Sequence, residues 1–152
     1  HLGIESENEV LYVEVSKYNF VLPIVCQINS RLPFYCTGVG KAILAFWPED
    51  QIDKYITSQK LIAKTPYTIT SGQKLKQELL QIRSNGYAIE NEENQLGVIS
   101  ISAPIFSLNG TVAAGISIGL IKAILTDELK QQIIADILDC SQKISKEMGY
   151  KL

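Results

Sequence analysis

The chain has 152 residues, 46% of them hydrophobic and 20% charged, which suits one domain with a real core and excludes a disordered polymer. Its net charge is −2 and no run of lysine and arginine stands out, so it lacks the electrostatic footprint of a nucleic-acid-binding surface. No apolar stretch is long enough to span a bilayer, which leaves the cytoplasm as the expected compartment.

In chain order, residues 2–4 and 9–15 read as strands around a Glu7-Asn8 turn, with Leu11, Val13 and Val15 on one face. Residues 20–28 form a further β-like run, interrupted by Pro23. Thr37 or Gly38 then starts a compact helix over KAILAFW, which Pro48 ends. Glu49 and Asp50 suit the first turn of a second short helix reaching Ile56. Thr70-Ser71-Gly72-Gln73 matches a capping box, and Leu75, Leu79 and Ile82 mark the buried stripe of a helix closed by Asn85-Gly86. Residues 87–90 restart as a strand and a hairpin follows. Thr126 caps a final helix in which Leu129, Ile133, Ile137, Ser141, Ile144 and Met148 recur at helical spacing until Gly149. The order β-β-β-α-α-α-β-β-β-α, without repeats or a low-complexity linker, predicts one α+β domain over residues 1–152 with a mostly antiparallel sheet flanked by helices.

The hairpin VISISAPIFSLNGTVAAGISIG lets its register be counted. Asn109-Gly110 is typical of a two-residue type I′ turn, which sets Leu108 opposite Thr111 and makes every pair of partners sum to 219. Ser102 then faces Ser117, Ser100 faces Gly119, and all four share one side of the sheet. The other side carries Ile99, Ile101, Ala103 and Ile105 against Ile118, Ile116, Ala114 and Val112, an aliphatic floor for a core. The small hydroxyls could seat a polar ligand, or could simply be the wet side of an antiparallel sheet. A bulge at Pro104 would shift this register.

Two further features carry chemistry. In CTGVGKA the amides of Gly38, Val39 and Gly40 would point out of a helix start, where an anion is favoured; an ordinary glycine-rich cap is the plainer reading. The GxxxxGK[ST] spacing of a P-loop is absent. In the acidic run Glu90-Asn91-Glu92-Glu93, Glu92 and Glu93 read as a solvated loop, as Lys41 reads as a solvated helix residue. Glu90 ends a strand beside the hairpin, where it could accept from a ligand hydroxyl or keep its own proton next to an anion. Cys26, Cys36 and Cys140 are too few and too scattered for a disulfide framework or zinc ribbon, and the one histidine is terminal. No metal or cofactor is expected.

Three segments, LPFYCTGVGKAILAF, GYAIENEENQLGVISISAPIF and NGTVAAGISI, together resemble the effector-binding domain of the IclR-type bacterial transcriptional regulators, in order and over nearly the whole chain. The resemblance implies a GAF-like sensor fold, a small organic acid as effector, and self-association as dimers or tetramers. It also implies a DNA-binding winged helix-turn-helix in an N-terminal domain, missing from a fragment that begins His1-Leu2-Gly3. By aligned position it implies effector contacts at Gly38, Val39, Glu90, Ser100, Ser117 and Gly119, with apolar walls at Val21, Ile24 and Leu32. Glu90 stands where the family usually has aspartate, Ser100 where cysteine is frequent, and Gly119 where a serine hydroxyl is usual. The alternatives are an oligomerisation module, served by the long last helix and an edge strand at residues 11–15, or a small hydrolase using Cys36 or a hairpin serine. The hydrolase has no histidine base and no GxSxG elbow to draw on.

Overall fold

A computed structural model of the chain describes residues 1–16 and 26–151. Three strands, β1 (Leu2–Ser6), β2 (Glu9–Glu14) and β3 (Arg31–Pro33), precede three helices, α1 (Gly38–Leu44), α2 (Glu49–Ser58) and α3 (Gly72–Asn85). Strands β4 (Ala88–Asn91), β5 (Val98–Phe106) and β6 (Val112–Ile121) then lead to α4 (Asp127–Glu147). The six strands form one sheet in the order β3-β2-β1-β6-β5-β4, with every pair antiparallel. The predicted α+β class is observed, and the elements follow the predicted order except at the third strand, since β3 stands at Arg31–Pro33, where no strand was expected. The β-run expected over residues 20–28, with Val21 and Ile24, lies largely outside the described residues.

Local chemistry sets the boundaries. Glu7 and Asn8, with φ of 56° and 63°, make the tight β1–β2 turn. Ser71 caps α3 by accepting from the Lys74 N–H. The cap therefore sits one residue beyond the expected box, and Gln73 takes no reciprocal part. Gly86 closes the helix at φ 80°. Thr126 caps α4 as expected, accepting from the Leu129 N–H. The α4 stripe is buried only in its middle: Leu129 and Met148 are exposed, and Ser145 is buried where Ile144 is only half-buried.

The hairpin pairs as counted, with Ser100 opposite Gly119 and Ser102 opposite Ser117. It reaches that register by another route. The turn is not type I′: Ser107 and Thr111 bracket a three-residue loop in which only Gly110 has positive φ, at 74°. One residue later a bulge between Ile105 and Phe106 restores the count. Two displacements of opposite sense cancel, and Pro104 stays in register opposite Gly115. Below the bulge Val112 pairs with Phe106, leaves the expected floor and packs in the core on the opposite side.

Both faces of the sheet are covered. Ile99, Ile101, Ala103 and Leu120 pack on Ile133, Ile134 and Ile137 of α4. The serine face lies under α1, so it is not the wet side of a sheet. On β2 the core face is Val10 and Tyr12, while Leu11 and Val13 are half-buried on the other; Val15, just past the strand, packs against the Val10–Tyr12 core. Of residues 11–15, Leu11 and Tyr12 are not a free edge. β3 pairs with Glu9–Leu11, and Tyr12 exchanges hydrogen bonds with Ser30 and Asn29.

Candidate functional site

The start of α1 is held by Thr37, whose side chain accepts from the Gly40 N–H at 3.2 Å and donates to the Pro33 carbonyl at 2.9 Å. The glycines permit close approach: a Cβ on Gly38 would overlap the hydroxyls of Ser100 and Ser102, and one on Gly40 would overlap the Phe34 backbone. Among the described residues, the N–H groups of Gly38 and Val39 take no hydrogen-bond partner. The Val39 side chain does not reach the pocket; it is buried against Gly3 and Gly115, anchoring the helix on the sheet.

Beside that helix start lies a pocket of about 50 Å³. Its lining brings together six of the expected positions: Gly38, Glu90, Ser100, Ser117, Gly119 and Leu32. Val21 and Ile24 are outside the described residues. Thr37, Tyr12, Asn94 and His1 also line it and were not expected. Thr37 is legible in the sequence as a cap but not as a wall. The other three carry no local signal, because they arrive from a strand, a loop and the first residue of the chain. His1 crosses to β6, where its imidazole lies 3.4 Å from the Ser117 hydroxyl and its amino group donates to the Ser117 carbonyl.

Glu90 is buried, 4% exposed. Its Oε1 accepts from the N–H groups of Glu93 and Asn94 at 2.6 and 3.1 Å, and its Oε2 accepts from the Ser100 hydroxyl at 3.2 Å. Burial pushes its carboxyl above the ordinary range, against the opposing pull of those N–H groups and of Lys41. Ser102 is fully buried, and its hydroxyl has no partner among the described residues.

Two surface readings are overturned. Lys41 is completely buried, paired with Glu78 of α3 and Glu93 of the β4–β5 loop and donating to the Ile89 carbonyl. Burial works against its charge, but the two carboxylates outweigh it and hold the ammonium above its usual range. Glu93 is 6% exposed, with its carboxyl pushed by burial up to about 7. Glu92 is half-buried and pairs with Lys122. A charge run gives no hint of this, because only the tertiary fold stacks α1, α3 and the loop around one ammonium.

Cys36 is buried in the core, and burial pushes its thiol up to about 12. The hydrolase alternative therefore has no thiolate to use. Among the described residues there is no cluster of metal-binding side chains and no helix long and apolar enough to cross a membrane.

The profile of the bacterial transcriptional regulator IclR C-terminal domain matches residues 1–146. The regulator KdgR of Escherichia coli K12 is 33% identical over 150 residues, which cover 99% of this chain and 57% of KdgR. The chain thus spans little more than half the length of that curated relative. The crystal structure of the Thermotoga maritima IclR superposes with a TM-score of 0.93 at 36% identity, covering 99% of this chain and 61% of that one. The inducer-binding domain of an Acinetobacter PobR double mutant, in complex with 3-hydroxybenzoic acid, shares the fold at a TM-score of 0.83 and 24% identity, over 95% of this chain and 85% of that one.

Proposed function

We propose that this chain, which belongs to the IclR family of bacterial transcriptional regulators, senses a small keto, sugar or hydroxy acid. The acid's carboxylate takes the free N–H groups of Gly38 and Val39, and its other oxygens meet Glu90, Ser100 and Ser117, beside Gly119 and the Leu32 wall. One observation carries this reading: five separate elements bring six of the expected residues to a single pocket at a helix start whose Gly38 and Val39 amides have no other partner among the described residues. Its volume of about 50 Å³ is that of a few water molecules, which favours the smallest acids. The PobR inducer-binding domain of the same fold, in complex with 3-hydroxybenzoic acid, supports an effector role.

In the longer protein, a DNA-binding domain N-terminal to this one reads the operator, and copies associate through the sensor domains. The acid acts through its differential affinity for two arrangements of that assembly.

A thermal-shift screen against small carboxylic acids tests the sensor. An acid at 100 times its Kd adds about 2.7 kcal/mol of stability, a shift of several degrees. In Ser117→Ala the same acid is expected to bind more weakly by about 1 kcal/mol. Silence across the panel at millimolar acid would instead favour an oligomerisation module, and unchanged affinity in the variant would remove Ser117 from the site.

A further inference from the structure

The pocket wall and the buried ion cluster behind it share one loop. Among the described residues, Lys41 is the single cation in contact with this group of three carboxylates. Glu78 and Glu93 touch it, and Glu90 is joined to Glu93 through the Glu93 N–H. Glu78 is 29% exposed in its side chain and keeps water on its charge, whereas Glu90 and Glu93 are almost completely buried. The second oxygen of Glu93 is buried with no hydrogen-bond partner among the described residues, an arrangement that disfavours a charged carboxylate. On Glu90, Oε1 faces two N–H donors and must stay an acceptor. Oε2 has only the Ser100 hydroxyl, which can turn to accept, so a proton on Glu90 belongs there.

We propose that Glu90 and Glu93 hold one proton between them at neutral pH, and that an anion entering the pocket beside Glu90 draws in a second. This rests on the effector reading of the pocket. One ammonium cannot compensate three buried or half-buried carboxylates, and an added anion increases the deficit, so the pair titrates as a unit. Both partners respond to burial in the same direction, upward.

Among the described residues, the other titratable groups around Glu90 are few. α1 brings Lys41, α3 brings Glu78, β2 brings Tyr12 and the turn before α1 brings Cys36, the last two pushed upward by burial. Cys26 also lines the pocket, β5 and β6 add only the non-titrating Val98, Ser100, Ser117 and Gly119, and His1 brings an imidazole and an amino group. Binding of an acid therefore weakens as pH rises, by up to tenfold per unit over the range in which the free pair holds one proton and the occupied pair two.

The test is a ¹³C NMR titration of the glutamate carboxyl carbons, without ligand and with acetate. Glu90 and Glu93 are expected to share a step in the neutral range, apart from the surface glutamates. Glu90→Gln should lower the Glu93 step by removing its like-charged neighbour. Titration of both residues together with the surface glutamates overturns the first half of the proposal. Saturating acetate is expected to raise the step, with acetate affinity falling with pH in the wild-type, His1→Asn and N-acetylated domains alike. Acetate that binds with no pH dependence overturns the second half while leaving the effector site standing. Acetate that leaves both signals unmoved also overturns the second half and counts against the effector site, whereas the ligand-free titration still decides the first.

Discussion

Gly38 shows how one residue serves both fold and site. Its missing side chain lets α1 settle onto the hydroxyls of Ser100 and Ser102, and its amide is left for a ligand. The sequence assigns the glycine to ligand approach, whereas in the fold it serves first the helix–sheet contact. Gly38→Ala is therefore expected to lift the helix start off β5, lowering stability by about 1–3 kcal/mol through overpacking and weakening acid binding. Chemical denaturation and a thermal-shift assay with acid measure the two effects; a variant that binds normally would show that the clash relaxes without moving the amides. Tyr12 and Asn94 mark the opposite limit. No pattern within their own segments distinguishes them from other strand and loop residues, so only the assembled pocket identifies them.

At the scale of the element, the hairpin carries both its own register and the division of labour between faces. Strand alternation alone separates Ile99, Ile101 and Ala103 from Ser100 and Ser102, and α4 confirms the aliphatic side by packing against it. Ile101 is fully buried there, so Ile101→Ser is expected to cost about 2–4 kcal/mol by removing apolar contacts and burying a hydroxyl. A urea unfolding curve measures this, and indifference would mean that the α4 contact contributes little. The turn itself is not legible in the dipeptide. Asn-Gly suits both a type I′ turn and a three-residue loop ending in glycine, and the bulge that decides between them depends on how Val112 packs in the core.

At the scale of the whole molecule, Lys41 ties α1 to α3 and to the loop between β4 and β5. Lys41→Met leaves Glu93 buried without its cation and is expected to destabilise the domain by about 3–5 kcal/mol; Lys41→Met with Glu93→Gln should recover part of that loss. The pH dependence has a definite sign. The Glu93 carboxyl is raised from 4.5 in the free residue to about 7 in the fold, so the folded chain binds this proton more tightly than the unfolded one. Its contribution is fully present below 4.5 and is lost as pH rises through about 7, at up to about 1.4 kcal/mol per unit. Urea midpoints measured between these limits should decline more steeply in the wild-type domain than in Glu93→Gln; equal slopes would show that Glu93 ionises normally in the fold. Legible in the sequence are the α+β class, the elements other than β3, the caps of α1 and α4, the two faces of the hairpin and the family, because these rest on periodicity and on motifs of contiguous residues. Only the tertiary structure decided that Lys41 and Glu93 are internal, that Val39 anchors while Gly38 lines, and that Tyr12, Asn94 and His1 close the pocket. Burial of a charge depends on partners tens of residues away, and neither spacing nor propensity records where those partners meet.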